Sequence, residues 1–119
     1  MLRFLSAVLV AALLSACAGA PSEYSGSKGK TLQVTQQVWG WYKQYVTDIG
    51  GVNKGVFVVG VYKDTAEVAS YYYCPGTSCL AGNYSGKALD RCRSYGAEYN
   101  CIVFANGTSI LANYKVIDE

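Results

Sequence analysis

Four of the five cysteines fall between positions 74 and 101, and that crowding limits what the 119 residues can fold into more than any other feature. Cys74, Cys79, Cys92 and Cys101 form an even set, and in an exported chain an even set reads as disulfides. Three pairings exist. Loop length favours Cys74 with Cys79 and Cys92 with Cys101, because each closes locally. In the chain-entropy description such short loops contribute roughly 2–3 kcal/mol each. A four-cysteine zinc site needs spacers of about two to four residues in both halves. "PGTS" meets that requirement, whereas the spacer between Cys92 and Cys101 is too long. No C-x-x-C is present to act as a redox dithiol. No metal and no cofactor is expected.

The fifth cysteine, Cys17, closes an apolar run. After Arg3 comes "FLSAVLVAALLSAC", in which only Ser6 and Ser15 are polar. The run is too short to cross a bilayer comfortably. A positive start, an apolar centre and a small-residue end describe a secretory signal peptide. Leu14, Ser15, Ala16 and Cys17 moreover resemble the lipobox of bacterial lipoproteins. That resemblance implies cleavage before Cys17, a diacylglycerol on its thiol and an extracytoplasmic protein. Ala18 follows instead of an aspartate, which in enteric bacteria implies an outer-membrane address. Acyl chains at about 0.8 kcal/mol per buried methylene make the anchor permanent. The expected organisation is a signal peptide at 1–16, a lipidated flexible tether at 17–30 and a single domain at 31–119. The tether assignment rests on "AGAPSEYSGSKGK", rich in Gly and Ser and without apolar period.

Composition narrows the partners. Once Arg3 leaves with the leader, nine Lys or Arg face eight Asp or Glu, a net of +1. That balance argues against nucleic acid and against a strongly acidic partner. Histidine is absent, which removes the commonest general base and metal ligand. Eleven tyrosines stand in its place.

Periodicity supplies the elements. From Thr31 to Ile49, Val34, Val38, Trp41, Tyr42, Tyr45, Val46 and Ile49 recur at spacings of three and four, which predicts an amphipathic helix on a core. Gly50 and Gly51 end it. "GVFVVGVYK" and "AEVASYYYC" read as strands joined by a turn at Lys63, Asp64 and Thr65. "SGKALDRCRSYG" predicts a shorter helix capped at Ser85, with Ala88, Leu89, Cys92 and Tyr95 on one face and Gly96 as terminator. "CIVFA" and "TSILANYKV" flank Asn106-Gly107, the signature of a type I′ hairpin. The fold class is α+β: an antiparallel sheet of about four strands with two helices, arranged as a duplicated αββ unit. The second half weakly resembles small exported proteobacterial domains of unknown function, through Ala88, Leu89, Cys92 and Cys101–Ala105. The resemblance implies a Cys92–Cys101 bridge pinning the helix to the next strand.

Nucleophilic catalysis lacks a histidine partner. Asp64 belongs to a turn, Asp90 has Arg93 one turn away, and Asp118 with Glu119 ends the chain, so no persuasive carboxylate pair emerges. The aromatic residues carry more. Tyr71 and Tyr73 share one face of a strand, and Trp39 lies at the edge of the helical stripe, as half-buried packing or as a surface for sugars or protein. The sequons at Asn83 and Asn106 read as a loop and a turn. The expectation is a lipid-anchored, non-enzymatic envelope lipoprotein that binds a protein or glycan partner. An inhibitor of host or rival enzymes and a carboxylate-dependent hydrolase are the alternatives.

Overall fold

The computed structural model describes residues 22–50, 54–74 and 84–118. The leader, Cys17, the "CPGTSC" loop after Cys74, and Gly51 lie outside them. One turn of 3-10 helix at Ser22–Tyr24 precedes β1 (Leu32–Val34), α1 (Gln36–Ile49), β2 (Gly55–Tyr62), β3 (Thr65–Tyr73), α2 (Tyr84–Arg93), β4 (Asn100–Asn106), β5 (Ser109–Ile110) and β6 (Tyr114–Val116). Among the described residues the class is α+β with two α-helices. The sheet is six-stranded and mixed, in the order β5-β4-β2-β3-β1-β6. β1 pairs in parallel with both β3 and β6, and the other pairings are antiparallel.

β2 is the centre, buried from Gly55 to Val61. A strand covered on both faces reads as a continuous apolar run, and "VFVVGV" is such a run. Alternation sends Phe57, Val59 and Val61 to one core, with Val38, Tyr42, Tyr45 and Ile49 of α1 and Ile102 and Phe104 of β4. Val56 and Val58 go to a second core beneath Ala88, Leu89 and Cys92 of α2. The helices thus lie on opposite faces of the sheet.

The first helix is shorter than its periodicity predicts. Leu32 and Val34 satisfy a period of two as well as of three to four, and pairing with β3 and β6 decides for a strand. Thr35, extended at φ −68° and ψ 158°, then caps α1 by accepting from the Val38 N–H at 3.2 Å. Ser85 lies inside α2, which starts at Tyr84, and is not its cap. A duplicated αββ unit does not exist, because β1 precedes α1 and the last segment splits into β5 and β6 at opposite edges of the sheet.

That split closes the molecule. Only Leu111–Asn113 separate β5 from β6, and so short a span reaches at most ~14 Å. The two edges must therefore approach. Leu111 N–H donates to Phe104 O at 2.8 Å on one side, and Leu32 N–H donates to Asn113 O at 2.8 Å on the other. One bent strand bridges β4 to β1, and the sheet curls around α1.

The hairpin at Asn106-Gly107 exists, one residue out of register. Asn106 pairs with Ser109, so the turn residues are Gly107 and Thr108. Gly107 N–H bonds Gly55 O at 2.8 Å, which extends the β4 ladder past Asn106. Only Gly107 takes positive φ (59°), as the first position of a type II′ turn requires. Two consecutive positive φ values occur instead at Lys63 (50°) and Asp64 (64°), between the paired Tyr62 and Thr65.

Candidate functional site

β3 pairs with β2 along its whole length but with β1 only at Thr65 and Ala66. Beyond Ala66 the chain of β1 has turned away into α1, and no described residue pairs with the outer side of β3. A groove of ≈ 450 Å³ runs there, lined by Val68, Ala69, Ser70 and Tyr71, with Trp41 from α1 and Arg91 and Tyr95 from the α2 side. Val68 and Ser70 face the α2 core, and Ala69 and Tyr71 the α1 core. Four consecutive residues with alternating directions can line one groove only if its floor is the strand's edge. The two helices supply its walls.

The floor is held rigidly. Ser70 Oγ donates to Ala88 O at 2.6 Å, fixing α2 against β3. Tyr71 donates its hydroxyl to Asp48 Oδ2 at 2.7 Å, while Gln44 occupies Asp48 Oδ1 at 2.8 Å. The Tyr71 ring stacks on Phe57 at 5.9 Å and on Tyr73 at 6.3 Å. Burial, then the Asp48 hydrogen bond and charge, push the Tyr71 hydroxyl up to about 12. Arg91 lies over the Tyr72 ring at 5.4 Å and donates to its hydroxyl at 3.2 Å. Among the described residues it is the only charged one lining the groove.

Of the three aromatic residues singled out from sequence, Tyr71 is in the groove floor. Tyr73 stacks beside it, 37% exposed. Trp39 is elsewhere, stacked between Tyr42 at 5.1 Å and Tyr114 at 5.3 Å as a flank of the α1 core. Trp41, placed on the buried stripe by its spacing, is 39% exposed. Residues two apart on a helix point in nearly opposite directions, about 200° round the axis. The stripe of Val38, Tyr42, Tyr45 and Ile49 runs between the two tryptophans, so one leans toward β6 and the other toward the β3 edge. Tyr95, expected on the buried face of α2, is 46% exposed, because α2 ends at Arg93 before reaching it. Trp41, Arg91 and Tyr95 were not legible as a group. The one sequence hint is "WGW", two tryptophans straddling a stripe.

The remaining tyrosines are structural in several cases. Tyr45 is fully buried and donates to Gly107 O at 2.6 Å, and Tyr24 is 3% exposed and donates to Asp64 Oδ1 at 2.7 Å. Burial raises both hydroxyls far above the usual phenol range, and raises that of Tyr42 as well.

Cys92 and Cys101 form a disulfide with a Cα–Cα distance of 6.1 Å, joining α2 to β4. Cys74 is buried and disulfide-bonded, and its expected partner, Cys79, lies outside the described residues, as does Cys17. Among the carboxylates, Asp48 and Asp64 are engaged by tyrosines, and Asp90 pairs with Arg93 at 3.4 Å on the surface. Glu67 and Glu98 share a smaller groove of ≈ 330 Å³ with Tyr62 and Tyr99. Among the described residues no group of three or more acidic or cysteine side chains converges as a metal site. Compared with known proteins, the chain matches no family model, no curated protein and no solved structure.

Proposed function

We propose that the protein is a lipid-anchored lipoprotein of the outer membrane that acts as a binding or accessory module for a protein or glycan partner of the envelope. The groove beside β3 carries this reading: it is apolar, aromatic on both walls, floored by a fixed strand and marked by one cation. Such a surface, largely preformed and with a few convergent polar groups, is what ligand recognition uses. The lipobox-like Leu14–Cys17 supports the anchor. A photo-crosslinking residue placed at Trp41 in the full chain, expressed in a bacterium with lipoprotein processing, tests it. Adducts with an envelope protein or glycan are expected from this position and not from exposed Lys43, on the same helix. In parallel, Cys17→Ser should abolish acyl labelling. Equal adducts from both positions would reject the site, and continued labelling would reject the anchor.

A further inference from the structure

The chemistry of the groove floor narrows the occupant. Resting on the binding-module reading above, we propose that an extended acidic segment of a partner protein adds to the sheet as a new strand along the open edge of β3, between Trp41 on one side and Arg91 and Tyr95 on the other. Among the described residues nothing pairs with the outer side of β3 from Glu67 to Tyr73. Every second residue of such an edge presents an N–H and a C=O outward, and these groups call for another backbone.

Proteins guard exposed edges with charge, proline, bulges or brevity. β3 has a bulge opposite Gly60/Val61, whose extra residue is the exposed Glu67. From Val68 to Tyr73 the sequence "VASYYY" then holds neither a charge nor a proline. At ~3.3 Å per residue this stretch offers room for roughly six residues of a guest strand. β-Strand addition draws its affinity from main-chain bonds and its specificity from pockets for alternate side chains. Here the pockets differ on the two sides: Trp41 and Tyr71 give an apolar surface on the α1 side, and Arg91 gives a cation on the α2 side. Arg91 has no carboxylate within ion-pair distance among the described residues, since the ion pairs there belong to Lys30 and Arg93. A guest with apolar residues alternating with Asp or Glu complements both. A second copy of the chain is disfavoured, because the walls rise beyond the edge on both sides. Two such edges would bring wall against wall before their backbones reached the ~4.8 Å spacing of paired strands.

Panning a random-peptide phage library on the full chain in detergent micelles tests the proposal. Acidic sequences with an alternating pattern are expected, and their synthetic forms should lose about tenfold in affinity for Arg91→Ala, the effect of one charge-assisted bond. N-methylation of alternate amides of the peptide should abolish binding in one phase and leave it unchanged in the other. That readout needs no change in the protein and does not depend on a variant folding. Failure to select any peptide, or indifference to methylation in both phases, overturns strand addition. If an oligosaccharide binds the groove and no peptide does, strand addition is wrong and the envelope-binding reading stands. If peptides bind as described and the Trp41 crosslinker captures nothing in cells, the envelope role fails and the edge chemistry survives.

Discussion

Gly60 lies where β2 passes beneath the Cys92–Cys101 bridge. A Cβ there would stand 2.5 Å from Val68 Cγ2 and 3.1 Å from Cys92 Sγ, so a neighbour would have to move. Gly60→Ala should cost about 1–3 kcal/mol, the usual penalty of overpacking, read as a lower urea midpoint at unchanged slope. Stability equal to the parent would mean that α2 sits further from the sheet. The buried tyrosines make a second statement at this scale. Folding raises the proton affinity of Tyr24, Tyr42, Tyr45 and Tyr71 above the ordinary phenol value of 10.0. The stability linked to these groups is therefore complete below that value and disappears as pH climbs through the folded values, about 12 for Tyr71. Alkaline titration of tyrosinate absorbance should show Tyr24, Tyr42, Tyr45 and Tyr71 ionising only in a cooperative step with loss of near-ultraviolet circular dichroism. One smooth transition centred on the ordinary value would contradict the packing. Which tyrosines are interior could not be read from composition, since a half-buried strand suits the residue equally well in either role.

At the scale of elements, α2 leans on its bridge. Among the described side chains its face offers Ala88, Leu89 and Cys92 to the second core, a thin contact for a helix of ten residues. Replacing Cys92 and Cys101 together by alanine should lower stability by roughly 2–3 kcal/mol. In hydrogen exchange the loss should concentrate in Tyr84–Arg93 and spare β2. Uniform loss would show that the helix and the sheet unfold together. Local pattern revealed these elements well: the bridge, the Lys63-Asp64 turn, the second helix and the strands β2, β3 and β4 all follow from short-range signals. β1 was hidden because three residues satisfy two periods, and the register of the Gly107 turn because a bond to Gly55, far away in sequence, sets it. The groove was hidden for a related reason. It arises where β1 leaves β3, and no stretch of sequence contains both.

For the whole molecule, closure of the curled sheet depends on a residue assigned from sequence to the tether. Tyr24 is 3% exposed; its carbonyl accepts from Asn113 N–H at 2.6 Å and its hydroxyl donates to Asp64. It clasps the bend between β5 and β6 to the β2–β3 turn. Gly and Ser on both sides masked this single core residue. Tyr24→Ala should cost about 3 kcal/mol or more, as for other large core truncations, by thermal melting of the full chain. A neutral result would return Ser22–Lys30 to the status of a linker. The position of β1 carries one more consequence. Its Leu32–Val34 lie between β3 and β6, so tension arriving along the polypeptide from the Cys17 side enters the sheet through an interior strand held on both flanks. Mechanical load is then shared by two ladders in shear, where a terminal strand at the rim would peel away one bond at a time.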